Sequence, residues 1–277
     1  MNLLIFGFIF LLGTLIGSFL NVVIYRFNTG MPIVKGRSIC MTCNRNLRWY
    51  ELIPIFSFLI QSGKCRRCAS NISHQYPLVE FITGLMFALI AFKFFSVLYL
   101  SFSLYIFLIT FYVFIFSLLI VISVYDLRHK IIPDKLVLVF ILVSLFSIFI
   151  NNSGIGPFFI MPSLLSFISG PILSLPFVLL WIFSKGQYMG LGDGKLILGI
   201  GWLFGIYSGL CAVILSFWIG TIISLTLMFI FKNLPDDKKI NINLKTEIPF
   251  AQFIIFSAFI TFLFNLNIFS LINLFNF

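Results

Sequence analysis

Apolar residues come in long unbroken runs, at about 3–25, 78–95, 98–125, 135–151, 163–184, 193–206, 207–231 and 249–273, separated by shorter polar stretches. Runs of 18 or more apolar residues are long enough to cross a bilayer as helices. In lipid every backbone polar group must be satisfied internally, which leaves helices as the spanning form for such runs. The pattern therefore predicts an all-α polytopic membrane protein with about eight transmembrane helices. The sixth run is short, and its junction with the seventh is set at Tyr207-Ser208-Gly209. The first run is longer than the apolar region of a signal peptide, and no small-residue cleavage site follows it, so residues 1–26 are expected to remain as a first transmembrane helix. Along it Gly13, Gly17 and Asn21 recur every fourth position with Ser18 beside them. That small and polar stripe would let a neighbouring helix approach closely.

Composition agrees: 61% of residues are hydrophobic and 9% charged, against about a quarter charged in soluble domains. The net charge of +10 bears on orientation and not on nucleic acid, for which no role is expected. Lys35, Arg37, Arg45, Arg48, Lys64, Arg66 and Arg67 follow the first run, Arg128, Lys130 and Lys135 follow the third, and Lys185, Lys195, Lys232, Lys238, Lys239 and Lys245 fall in later segments of the same parity. The other side carries Lys93. Basic loops stay in the cytoplasm, so segments 27–77, 126–134, 185–192 and 232–248 are expected inside and the amino terminus outside.

The first basic segment contains Cys40-Met41-Thr42-Cys43 and Cys65-Arg66-Arg67-Cys68. In a reducing compartment two such pairs read as a four-thiolate zinc site of ribbon type, with redox-active dithiols and free cysteines as the alternatives. A site with four thiolates has no open position for water, so this metal would be structural. Residues 27–77 are thus expected to form a small zinc-binding loop domain, and residues 78–277 the remaining core of about seven helices. Cys211, inside an apolar run, reads as a packing residue.

The chain has eight acids. Asp236, Asp237, Glu247 and Glu51 read as solvated loop residues, Asp134 as a helix N-cap after Pro133, and Glu80 as either a helix-dipole partner or a functional acid near Pro77. Asp126 ends the third run and Asp193 begins the sixth within Gly190-Leu191-Gly192-Asp193. Parity places both at the cytoplasmic boundary, so the two carboxylates can meet. Two nearby carboxylates sharing one proton provide both the base that activates water and the acid that protonates a leaving amine. Gly190 and Gly192 would let the loop bend and an extended peptide approach the backbone. Lys195 would anchor its helix at the cytoplasmic face or stabilise negative charge nearby.

The chain resembles the bifunctional type IV prepilin leader peptidases with N-methyltransferase activity. The resemblance rests on Gly17-Ser18-Phe19-Leu20-Asn21-Val22-Val23-Ile24-Tyr25-Arg26, the two Cys-x-x-Cys pairs, Trp49-Tyr50-Glu51-Leu52-Ile53-Pro54, Tyr76-Pro77-Leu78-Val79-Glu80, Asp126 through Pro133-Asp134, and Gly190-Leu191-Gly192-Asp193-Gly194-Lys195. It implies an aspartyl endopeptidase of the Gly-x-Gly-Asp type in the bacterial cytoplasmic membrane. Such an enzyme removes the short basic leader of prepilins and pseudopilins after a glycine, then methylates the new amino terminus with S-adenosylmethionine. The family's catalytic aspartates fall on Asp126 and Asp193, and its metal loop on Cys40, Cys43, Cys65 and Cys68. No residue of the methyl-donor site is located, and the oligomeric state stays open. Two departures stand out: Met41 where the family has proline, and Pro249-Phe250-Ala251-Gln252-Phe253 where it has Pro-Phe-Gly-Pro-Phe. An intramembrane protease of the presenilin or signal-peptide-peptidase sort, echoed by Tyr125-Asp126, and a transporter or scaffold in which the acids bind a cation or proton and the cysteine ribbon binds a partner are the competing readings. The basic cluster after Asp126 and the cysteine loop speak against the first, and the lack of internal repeats against the second.

Overall fold

The computed structural model describes residues 2–150, 157–187, 189–232 and 249–275. It consists of ten α-helices among the described residues: α1 (Asn2–Arg26), α2 (Phe56–Ile60), α3 (Gln75–Lys93), α4 (Phe95–Leu98), α5 (Phe102–His129), α6 (Asp134–Ser147), α7 (Leu164–Ser184), α8 (Leu191–Lys232), α9 (Ala251–Phe264) and α10 (Ile268–Phe275). A 3-10 turn at Trp49–Leu52 and three isolated β-bridges complete the ordered structure. Five helices are long and apolar enough to cross a membrane: those at Leu4–Arg26, Gln75–Lys93, Phe102–His129, Leu164–Ser184 and Leu191–Ile230. The all-α membrane architecture expected from the apolar runs is therefore present. Of the basic segment expected at 232–248, Lys232 ends α8 and residues 233–248 lie outside the described residues.

Element boundaries depart from the sequence pattern in three places. The sixth and seventh runs form one helical element, α8, broken at Gly205 and not at Tyr207-Ser208-Gly209. Gly205 has φ 76° and ψ −178°, a conformation that a side chain disfavours. The last run ends its helix at Asn265, which adopts the left-handed conformation and donates its N–H to the Thr261 carbonyl. A new helix then starts at Ile268, where the Asn267 Oδ1 accepts the Ser270 N–H at 2.8 Å. Finally, Pro133 is the N-cap of α6, with Asp134 its first helical residue.

The described residues fall into two compact units, those up to Val121 and those from Ile122 on. In the first, α1 and α3 run antiparallel, and the stripe on α1 is their contact. A Cβ on Gly13 would lie 2.8 Å from the Gly84 Cα, and one on Gly17 2.7 Å from the Glu80 Cα. One turn further, the Asn21 Nδ2 donates to the Tyr76 carbonyl at 3.2 Å, and the Tyr25 and Tyr76 rings stack at 5.1 Å. Every fourth residue of one helix thus meets every fourth residue of the other, the close-approach packing that small residues permit in lipid.

In the second unit α8 is the hub. It meets α6 where Gly199 faces the Phe140 ring, α7 where Gly201 lies against Ser169 and Gly170, and α9 where Gly220 lies against Phe253. Polar side chains tie these crossings: the Ser169 hydroxyl donates to the Gly201 carbonyl at 2.8 Å and the Trp202 indole to the Phe167 carbonyl at 2.8 Å.

Replacing Gly17 by alanine is expected to cost about 1–3 kcal/mol, the usual range for overpacking, because the neighbour is backbone and cannot rotate away. Gly7→Ala, with nothing within 4 Å, is the matched control. Thermal unfolding of the purified protein followed by fluorescence checks both; equal midpoints would refute the contact.

Candidate active site and metal centre

Asp126 lies one turn before the end of α5, where its carbonyl accepts the Lys130 N–H at 2.7 Å. Asp193 stands in the first turn of α8. Both carboxylates belong to the second unit and both are buried, 5% and 8% exposed. They lie near enough for the charge of Asp126 to act on Asp193. The Oδ1 of Asp193 is buried with no hydrogen-bond partner. The Oδ2 of Asp126 accepts a hydrogen bond from the Gln252 side-chain amide at 3.4 Å. Gln252 was not singled out by its chemistry in the sequence, although the Pro249–Phe253 stretch around it was; α9 starts one residue before it. The Phe250 ring packs 4.9 Å from that of Phe217 on α8, and Phe253 fills the notch at Gly220, so the start of α9 is wedged in place.

The two glycines before Asp193 differ in their surroundings. Neither has a positive φ, so the left-handed freedom of glycine is not what they contribute. A Cβ on Gly192 would sit 2.8 Å from that of Ile132, which makes Gly192 the point where the α5–α6 connection presses on the start of α8. At Gly190 the nearest heavy atom to a Cβ is the Asp193 Oδ2 at 3.8 Å, leaving the backbone open beside the carboxylate. Lys195 points elsewhere: its Nζ pairs with the Asp134 Oδ1 at 2.6 Å. That pair joins the first turns of α6 and α8, but being solvent-exposed it adds little to stability. Glu80 lies in the other unit, where its Oε2 accepts the Ile55 N–H at 2.7 Å, so it acts as a clamp on the loop at a residue with φ 61°. The ring of His129 packs 4.4 Å from that of Tyr125.

The four cysteines come together. Their sulfurs all lie within 4.8 Å of one another, and those of Cys40 and Cys68 are 3.9 Å apart. A zinc ion with bonds of about 2.3 Å in a tetrahedron needs sulfurs about 3.8 Å apart, so the cluster fits. The two pairs are built alike. The Cys40 N–H donates to the Arg45 carbonyl and the Asn44 N–H to the Cys40 carbonyl; the Cys65 N–H donates to the Ser70 carbonyl and the Ala69 N–H to the Cys65 carbonyl. Asn44 and Ala69, one residue past each second cysteine, both take positive φ. Each turn aims N–H groups at sulfur. The Cys43 N–H, with help from that of Thr42, holds the Cys40 thiol down at about 6, and the Ser70 hydroxyl and N–H hold Cys68 below its usual range. Cys43 goes the other way: the Arg45 N–H is outweighed by burial and by the neighbouring thiols, which push it up to about 11, so without a metal the cluster holds its charge on Cys40 and Cys68, and thiolates are the ligand form. Glu51, expected to be solvated, is in fact buried. It accepts the Arg48 N–H at 2.8 Å and pairs with Arg45 at 2.6 Å. Burial disfavours its charge, yet the Arg48 N–H and the Arg45 guanidinium outweigh that and hold its carboxyl below the ordinary value.

A polytopic helical membrane protein with two buried aspartates at helix ends and a four-cysteine loop is the class these features define. Residues 11–94 match the bacterial peptidase A24 N-terminal domain and residues 113–225 the type IV leader peptidase family. A prepilin leader peptidase/N-methyltransferase of Dichelobacter nodosus is 30% identical over 296 residues, covering 94% of this chain and 92% of that protein. Proteins of the same name from Myxococcus xanthus (51% over 80 residues, 29% of this chain and 24% of that one) and Bacillus subtilis (35% over 133 residues, 48% and 50%) match over shorter stretches. In those two alignments the chain spans about a quarter and half of its relative's length. No solved structure matches. The chain belongs to the type IV leader peptidase family.

Cys40→Ser is expected to lower the metal content of the purified protein to near zero and to reduce its yield, read by elemental analysis. Full metal content in that variant would exclude a four-thiolate centre.

Proposed function

We propose that this protein is an aspartyl endopeptidase that removes the leader of type IV prepilins or pseudopilins at the cytoplasmic face of the bacterial inner membrane, with Asp126 and Asp193 as the catalytic pair. The observation that supports the proposal is that two buried carboxylates, one near the end of α5 and one at the start of α8, lie near enough for the charge of one to act on the other. The names of the relatives, prepilin leader peptidase/N-methyltransferase, supply the substrate class. The basic segments on one parity supply the face. A prepilin leader is basic and its stem apolar, so the scissile bond rests at the bilayer boundary, the depth of both aspartates.

In this reading one aspartate takes a proton from water as it attacks the scissile carbonyl, and the other gives its proton to the leaving amine. The Gln252 amide, as a donor to the Asp126 Oδ2, makes Asp126 the acceptor of the pair and leaves the shared proton to Asp193. Asp126 is then the base and Asp193 the acid of the first step. The open backbone at Gly190 is where an extended peptide would lie. Cys40, Cys43, Cys65 and Cys68 would hold a zinc ion whose four thiolates leave no position for water, so it would organise the loop and take no part in hydrolysis. Methylation of the new amino terminus with S-adenosylmethionine is the second half of the proposal; it is supported by the name of the relatives alone, and no residue is assigned to it.

Co-expression with a prepilin tests the proposal. Asp126→Asn and Asp193→Asn are each expected to slow leader removal by roughly 10²–10⁴-fold, the span of acid–base catalysis, and normal processing by either would defeat it. The mass of the product's amino terminus reads methylation separately. For Gln252→Leu, the loss of one hydrogen bond to a charged group predicts kcat lower by roughly tenfold with KM and thermal midpoint unchanged. A change in KM alone would show that Gln252 does not hold Asp126 as the base.

A further inference from the structure

The loop between α1 and α3 presents an apolar face that is exposed among the described residues. Trp49 is 77% exposed, Leu59 65% and Ile60 71%, and Leu52, Ile53 and Phe56 are exposed with them. These six residues occupy the 3-10 turn, the Ile53-Pro54-Ile55 corner and α2, all within twelve positions. A water-exposed loop with such a face would be an aggregation hazard.

The depth of this segment is set by two contacts inside the first unit. The stacked Tyr25 and Tyr76 stand at the end of α1 and the start of α3, where the first two spans meet the boundary; aromatic residues with polar tips mark that level in membrane proteins. Glu80 lies four residues further along α3, about 6 Å deeper at 1.5 Å per residue. The Ile55 N–H bonds to the Glu80 carboxylate at 2.7 Å. The corner of the loop is therefore drawn past the aromatic level, toward the hydrocarbon. Ile55 takes φ 61° and ψ −55°, a tight turn flanked by Ile53 and Phe56, both of which are exposed.

Charge agrees with the depth. Lys35, Arg37, Arg48, Lys64, Arg66 and Arg67 in the same loop are all exposed, while Glu51, the loop's one acid, is buried against Arg45. An apolar face bordered by basic side chains and carrying tryptophan is the makeup of segments that lie in the headgroup boundary of anionic membranes. Both ends of the loop also continue into spanning helices, so the loop never leaves the surface.

We propose that Trp49–Ile60 is an interfacial anchor, which dips its apolar face into the bilayer surface beside α3 and holds the four-cysteine turns against the headgroups. The occupant of the face is lipid. A prepilin stem or a second copy would find it already filled.

The test uses the full-length protein, one copy per lipid nanodisc, in lipids with or without bromine on the acyl chains near the carbonyl. The emission difference between wild type and Trp49→Phe isolates Trp49 from Trp181, Trp202 and Trp218. A blue-shifted Trp49 emission that is mostly lost in brominated lipid, with no prepilin present, is the expected result. Trp49 emission equal in the two lipids would overturn the anchor. So would emission typical of water that shifts to the blue only when a prepilin is added, which would give the face to substrate. Neither outcome depends on peptidase activity.

Discussion

Lipid tails are as apolar as leucine, so helices inside a bilayer gain nothing by hiding their leucines from the surroundings. They hold together where their backbones come close enough for dispersion and for hydrogen bonds between helices. In this protein the close approaches are made by glycine. Gly13, Gly17 and Gly84 set α1 on α3, and Gly199, Gly201 and Gly220 set α6, α7 and α9 on α8. Within the second unit, the contacts at Gly199, Gly201 and Gly220 fix the helices that carry Asp193 and Gln252. Asp193 is at the start of α8, and Gln252 reaches Asp126 because Phe253, the next residue, is seated at Gly220. A side chain at Gly199, Gly201 or Gly220 would press on the neighbouring helix at under 3 Å, so α8 and the helices packed on it would have to shift.

The same scarcity of water decides what each polar group does. Among the acids described, the two buried ones outside the aspartate pair have donors: Glu80 has the Ile55 N–H, and Glu51 has the Arg48 N–H and the Arg45 guanidinium. Asp193 differs, since its Oδ1 is buried with no partner. A structural carboxylate in such surroundings would be costly without donors, which is why this arrangement reads as a reactive one. Asp134 and Lys195, equally charged and nearby in sequence, sit at the exposed rim and pair with each other.

Much of this is legible in the amino-acid sequence. The apolar runs reported the helices, the stripe at Gly13, Gly17 and Asn21 reported a contact face, and the cysteine spacing reported a cluster. What escaped had physical causes. Hydropathy cannot see a single backbone conformation, so the break at Gly205 and the cap at Asn265 were both hidden inside apolar runs. Loop acids look solvated by composition, but Glu51 is buried by a turn that forms only when the cysteine loop folds. Gln252 is 126 positions from Asp126 and neutral, so neither charge nor spacing announced it; only the departure from the family's proline at that position marked the place.

An exposed apolar face and a metal cluster occur in one small segment for a common physical reason. A loop of this size cannot bury enough apolar surface to fold by itself, and small folds of this kind rely on metals or similar crosslinks. In this loop the large apolar side chains Trp49, Phe56, Leu59 and Ile60 are not gathered under the cysteine turns at all; they face outward. The four cysteine sulfurs gather on the inside of the loop and its large apolar residues are left to the outside. The interfacial placement proposed for Trp49–Ile60 accounts for that division, because it puts an apolar medium outside the loop where Glu80 ties the corner at Ile55.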